Sequence, residues 1–116
     1  MQVQVNTDNH IEGSEGLRNH VESVIEDALS WIADRVTRVE VFLRDENSDQ
    51  KNFGNDKRCV IEVRLAGQNP ISVTADAATI DQALTSAIEK LDRSLERTLG
   101  KRERPKDRMP FSGDAT

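Results

Sequence analysis

The chain has one cysteine, no tyrosine and one tryptophan, and aromatic residues make up 3% of its 116 residues. A single cysteine excludes an intrachain disulfide and a zinc site built on cysteine pairs, so nothing indicates an oxidising compartment. No apolar run approaches the ~18 residues of a membrane-spanning helix, and the start of the chain lacks the basic and apolar regions of a signal peptide. We therefore expect a cytoplasmic protein with no membrane partner.

Residues that build a large core are also scarce. Hydrophobic residues make up 35% of the chain, and the mean hydropathy is −0.65. At this length we expect one domain with a thin core and two packed layers. We assign residues 1–100 to that domain. Residues 101–116 are dominated by Lys, Arg, Pro and Gly, and we expect a basic and then disordered tail there.

Hydrophobic periodicity predicts a β-α-β-β-β-α order. Alternating apolar residues predict strands, and apolar residues at helical spacing predict helices. The predicted strands are 1–7, 38–44, 59–65 and 71–75, and the predicted helices are about 15–33 and 80–99. The simplest packing is an α+β two-layer sandwich, with both helices on one face of a four-stranded mixed sheet. The first two strands would be parallel if they are neighbours.

Charge is distributed unevenly along the chain. The 16 Lys and Arg residues and 21 Asp and Glu residues give a formal net charge of −5, and the acidic excess lies before residue 88. In the second helix Lys90, Arg93 and Arg97 share one sector, separate from the apolar sector and from an acidic one. Such a row suits contact with a polyanion backbone. A solvated amphipathic helix with mixed charges remains the alternative.

Lys101 and Arg104 would extend this row if the helix continued past Gly100. Lys90 and Arg93 lie outside the apolar sector, so we expect neither to hold the fold together.

Residues typical of metal sites are present but poorly arranged. Asp45, Asn47 and Asp49 occupy the first ligand positions of a calcium-loop pattern, but Gln50 stands where that pattern requires glycine and Asp56 where it requires glutamate. We therefore expect a solvated acidic loop.

The other candidate side chains also favour structural roles. His10 and His20 have no third ligand at metal spacing and are expected on the surface. Cys59 lies on the apolar side of its predicted strand, which favours a buried hydrophobe over a nucleophile. Trp31 is expected to close the core between helix and sheet. No nucleophile–base pair, phosphate loop or metal cluster can be assembled, so we predict neither an enzyme nor a cofactor nor a small-molecule substrate.

Four segments carry a resemblance to a known family. They are MQVQVNTDNHIEGSEGLRNHV at the start, VEVFLRDEN and CVIEVRLAG in the predicted strands, and AIEKLDRSLERTLGKRER at the end of the second helix. Together they resemble the short ribosome hibernation promoting factors, also called ribosome-associated translation inhibitors or sigma-54 modulation (S30EA-like) proteins. The resemblance covers about residues 1–104 and lies in the order and spacing of these segments.

The resemblance implies the βαβββα fold and binding to ribosomal RNA of the small subunit near the decoding centre. It also implies occlusion of the mRNA and tRNA sites in stationary phase or stress. The positions that match the family's RNA-binding residues are Arg18, Lys90, Arg93, Arg97, Lys101 and Arg102. If the two helices lie side by side, with axes ~8–10 Å apart, Arg18 and the Lys90 row would flank one groove.

Two hypotheses follow. The first is a non-enzymatic translation regulator that binds the small ribosomal subunit. The second is a protein–protein interaction module that keeps the fold but not the ribosome, because the first helix carries Glu22, Glu26 and Asp27 and would suit a basic partner.

Overall fold

The computed structural model describes residues 1–8, 15–45 and 56–100. Its helices and strands follow the β-α-β-β-β-α order, so the predicted α+β fold class is confirmed. The elements are β1 (Gln2–Thr7), α1 (Glu15–Ala28), a 3₁₀ turn (Ser30–Ile32), β2 (Val36–Asp45), β3 (Lys57–Leu65), β4 (Ile71–Ala77) and α2 (Ile80–Leu99).

The four strands form one sheet in the order β1-β2-β3-β4. The β1 and β2 strands are parallel, as expected, while β2–β3 and β3–β4 are antiparallel. A parallel neighbour requires a crossover connection, and α1 supplies it. The β1 and β4 strands are therefore the two edges of the sheet, a fact on which the placement of every candidate site depends.

The core lies on one face of the sheet. Cross-strand partners on that face include Val39 with Val63 and Val41 with Ile61, and all four side chains are fully buried. From the helices, Ile25 and Leu91 pack into the same cluster. Burying each side chain of this size contributes roughly 1.5–3 kcal/mol, so this single apolar layer supplies most of the stabilisation.

The first helix is shorter than predicted. It ends at Ala28, and a 3₁₀ turn over Ser30–Ile32 replaces the last turn of the expected 15–33 helix. The Ser30 hydroxyl donates to the Asp27 carbonyl at 3.0 Å, and the Ile32 amide donates to the Leu29 carbonyl three residues back. These bonds satisfy carbonyls at the helix end and tighten the chain. Trp31 and Ile32 still pack against the core, as expected, so apolar spacing alone did not reveal the change.

Other predicted boundaries also move. The β2 strand begins at Val36, two residues before the predicted start. The pairing with β3 shifts register between Val36 and Arg38, and this shift interrupts the alternation on which the prediction relied. The β3 strand begins at Lys57, two residues before the predicted start, and β4 ends at Ala77, two residues after the predicted end. Lys57 and Ala77 pair with each other. The α2 bounds match the prediction: the helix ends at Leu99, and Gly100 caps it with a φ of +95°, which favours glycine.

A side-chain cap fixes the start of α2. The Thr79 Oγ1 accepts the Gln82 amide at 3.1 Å. We expect Thr79→Ala to lower the free energy of unfolding by about 0.5–2 kcal/mol, measured by urea denaturation. The matched control is Thr85→Ala, since Thr85 is exposed on the same helix and alanine is the better helix former. Equal losses in both variants would contradict the cap assignment.

The only cysteine is fully buried, as expected. Burial raises the pKa of the Cys59 thiol from 9.0 to about 12. Because the unfolded chain ionises first, this thiol should lower stability progressively as pH rises from about 9 towards 12. At pH ~8 we expect a thiol reagent to label the native protein at least ~100-fold more slowly than the urea-unfolded chain. Similar rates would show that Cys59 is accessible in the native state.

Candidate nucleic-acid interface

The predicted basic row is an exposed surface of α2. Lys90, Arg93 and Arg97 are all exposed, and we call these three residues the basic ridge. They extend ~10 Å along the helix at 1.5 Å per residue. The apolar sector of α2, which includes Leu84, Leu91 and Leu95, is buried against the sheet. The side chains of the basic ridge consequently project away from the core.

The basic ridge lies along the outer edge of β4. The Lys90 Nζ donates to the Thr74 carbonyl at 2.8 Å, and β4 is an edge strand. Unpaired backbone groups on such an edge can recruit a further strand, and a lysine on the edge discourages that. Lys90 lies outside the apolar sector, as expected, but its ammonium group also satisfies a strand carbonyl, a contact that the helical spacing did not indicate.

Helix α1 lies on the other side of α2. The His20 Nε2 is 3.4 Å from the Asp81 Oδ1, and both side chains are at least half exposed. His20 is thus a surface residue, as predicted. Asp81 and Lys90 are nine positions apart, which places them on opposite sides of a helix, about 180° apart. The basic ridge therefore faces away from α1.

Arg18 occupies the opposite edge of the molecule. It lines a groove of about 400 Å³ together with Glu22 and the β1 residues Val3–Thr7. Because β1 and β4 are separated by three strand spacings, Arg18 and the basic ridge flank opposite edges of a sheet ~14 Å wide. The predicted shared groove is wrong. The helices do lie side by side, but Arg18 lies beside β1 and the basic ridge beside β4. These strands are the opposite edges of the sheet.

The surface between these flanks is acidic. Exposed carboxylates of α1 and α2 cover the outer side of the helical layer. They include Glu15, Glu26, Asp27, Asp81 and Glu89. A polyanion is repelled from the middle of this layer and meets positive charge only at its flanks.

The open face of the sheet carries arginines that the sequence reasoning did not single out. Arg38, Arg44, Arg58 and Arg64 all lie on the face away from the helices, since each pairs in register with a residue of that face. Arg38 contacts Glu40 at 3.1 Å, and Arg58 contacts Asp76 at 2.8 Å. The alternation of the predicted strands already placed Arg38, Arg44 and Arg64 opposite the apolar side chains, whereas Arg58 lies just before the predicted third strand.

Most of the remaining candidate residues belong to parts of the chain that the structure does not describe. Lys101 and Arg102 lie outside the described residues, as do His10, Arg104 and most of the acidic loop. At the ends of that loop, the Lys57 ammonium lies 3.6 Å from Asp45 and 3.0 Å from Asp56. The hydrogen bond to Asp56 raises the pKa of Lys57. Within the described ranges, no group of His, Cys, Asp and Glu is arranged to hold a metal ion.

A family model matches most of the chain. The model for "Sigma 54 modulation protein / S30EA ribosomal protein" covers residues 3–103. The chain belongs to this family. Its members are ribosome-associated proteins, so the resemblance drawn from the sequence is confirmed. No curated protein matches the chain.

Solved structures show the same fold. The N-terminal domain of Protein Y from Thermus thermophilus matches with a TM-score of 0.67 at 20% identity, covering 84% of this chain and 99% of that one. A ribosomal subunit interface protein from Coxiella burnetii matches with a TM-score of 0.65 at 17% identity, covering 87% and 100%. In the described part of this S30EA family member, no helix is long and apolar enough to cross a membrane.

The contact between Lys90 and Thr74 can be tested by stability. We expect Lys90→Met to lower the free energy of unfolding by about 0.5–1 kcal/mol, because it removes a charge-assisted hydrogen bond to the edge carbonyl. Arg93→Met is the matched control, since Arg93 is exposed one helical turn away, and it should change stability by less than ~0.5 kcal/mol. Urea denaturation of both variants measures the difference. Equal stability of the two variants would show that the Thr74 contact contributes nothing.

Proposed function

We propose that this protein is a translation regulator that binds ribosomal RNA of the small subunit through the basic ridge. The observation that carries the proposal is the placement of Lys90, Arg93 and Arg97 on an exposed flank of a member of a ribosome-associated family. Arg93 and Arg97 make no ion pair with another described residue, so both guanidinium groups are available to phosphates. Arg18 would make a separate contact at the β1 edge.

Charge geometry supports contact through the flank. The chain has a formal net charge of −5, so bulk attraction does not bring it to RNA. Local Lys and Arg side chains grip phosphates and 2′-hydroxyls without reading the sequence, which is how structured RNA is mostly held. The acidic outer surface of the helices would be turned away from the RNA.

The mechanism we propose is steric. A folded domain held by its flank in the mRNA and tRNA path of the small subunit would block initiation without chemistry, and it would leave when translation resumes. Such a role belongs in the cytoplasm and suits stationary phase or stress. Fold and charge account for it without a catalytic group or a cofactor.

The alternative is a protein–protein interaction module. The acidic outer surface of α1 and α2 is the observation that favours it, since a basic partner protein would be attracted there. This alternative predicts no affinity for ribosomes at low salt and binding that depends on carboxylates instead of the basic ridge.

Co-sedimentation with isolated small subunits across a salt series tests the proposal. We expect saturable binding that weakens steeply with salt, because each neutralised phosphate releases counterions. Arg93→Glu combined with Arg97→Glu should abolish binding at moderate salt. At low salt, where binding can still be measured, the dependence of log affinity on log salt should become shallower by about 1.5–2 in slope. Lys90 is left unchanged in this variant because of its bond to Thr74.

The control is Arg35→Glu, compared with Arg93→Glu alone. Arg35 is exposed at the start of β2 and lies outside the basic ridge, so the net charge change is matched. Binding should fall with Arg93→Glu and stay close to the original protein with Arg35→Glu. Equal losses would mean that overall charge is what matters, and no loss in either would exclude the basic ridge as the site.

A further inference from the structure

The outer edge of β1 is available for pairing. The Asp8 amide donates to the Leu43 carbonyl of β2, so the even-numbered residues of this strand direct their backbone groups towards β2. The alternation of a parallel pair then turns the amides and carbonyls of Val3, Val5 and Thr7 away from β2. Within the described part of the chain no strand lies beyond β1 in the sheet.

The two edges of the sheet are treated differently. At β4 the Lys90 ammonium covers the Thr74 carbonyl. The β1 sequence, QVQVNT, has neither the proline nor the charged residue that often protects an edge strand. Beside it lies the groove of about 400 Å³ under α1, which leaves room along the strand.

Two charged side chains line this groove without an ion pair to a described residue, and a buried amide group lies on the open face of the same strand. Arg18 and Glu22 are one helical turn apart on α1 and carry opposite charges, and neither makes an ion pair with a described residue. The Asn6 amide oxygen accepts from Gln4 at 3.3 Å, but its Nδ2 is buried and has no hydrogen-bond partner. A buried donor without an acceptor is costly, so an occupant that supplies one would be stabilised here.

We propose that the occupant is a second copy of this chain, with the two β1 strands antiparallel about a twofold axis at Val5. Val3 would then exchange backbone hydrogen bonds with the partner's Thr7, and the two sheets would join into one. On the open face, the same axis brings Asn6 opposite the partner's Gln4. The Gln4 side-chain oxygen accepts from Arg38 of its own chain at 2.6 Å, and its second lone pair can accept from the buried Nδ2.

The charges of α1 identify a second copy as the occupant. A twofold axis places the same surface of each copy against the other, so residue i meets residue j and residue j meets residue i. Arg18 of one copy therefore faces Glu22 of the partner, and the reverse pair forms on the other side of the axis. Because β1 has only six residues, the interface is small and the association is weak. The basic ridge stays exposed at the two outer edges of the dimer. Arg18 is engaged across the axis, so the separate RNA contact of Arg18 belongs to the monomer.

Sedimentation velocity over about 10 µM to 1 mM tests the dimer, since a small interface associates in that range. We expect the weight-average sedimentation coefficient to rise with concentration towards that of a dimer. Arg18→Glu alone and Glu22→Arg alone should each weaken association by about tenfold or more, because each places like charges across the axis.

Combining the changes separates this pairing from a general loss of structure. A 1:1 mixture of the Arg18→Glu chain with the Glu22→Arg chain should associate more tightly than either chain alone, and so should the chain that carries both changes. Glu89→Arg repeats the Glu22 charge change on an exposed site of α2 far from β1, and it should leave association unaltered. A chain that stays monomeric at about 1 mM, or a mixture no better than its components, overturns the proposal.

Discussion

Pairing of β2 with β3 at the centre of the sheet is the contact on which the rest of this structure depends. The residues of these strands that face the helices are fully buried, and they leave the sheet with one apolar face. Each helix must bury its apolar sector on that face, so the direction in which its charged sectors point is no longer free. The basic ridge lies along the β4 edge because Leu91 and Leu95 of the same helix have to reach β3 and β4.

Edges are the second constraint. An open four-stranded sheet has two, and each must be paired, covered or protected. Here Lys90 covers a carbonyl of β4, so one residue of the basic ridge serves both the fold and the surface charge. At β1 the corresponding backbone groups are bordered by Arg18 and Glu22. The same sheet therefore offers a cationic edge suited to a polyanion and a neutral edge suited to another strand.

Much of the fold was predictable because local signals agreed with one another. Alternation predicted all four strands and helical spacing predicted both helices, since burial on one face imposes those periods. The predicted boundaries were wrong where the spacing of apolar residues does not distinguish one structure from another. Ser30–Ile32 keep their apolar residues inward in a 3₁₀ turn as they would in a helix, and the irregularity at Val36 interrupts an otherwise regular alternation. The candidate site was predicted less well, because the expected groove between Arg18 and Lys90 required knowledge of which helix lies over which strand.

By itself the sequence determined the order of elements, the family, and the separation of apolar, acidic and basic sectors on α2. Each of these follows from the order and spacing of residues along the chain. Only the tertiary structure decided that Arg18 and the basic ridge lie on opposite edges, that Lys90 bonds to a strand carbonyl, and that Arg58 pairs with Asp76 on the open face. The physical reason is that these relations join residues far apart in the chain. They are set by strand order and register, which follow from packing of the whole core.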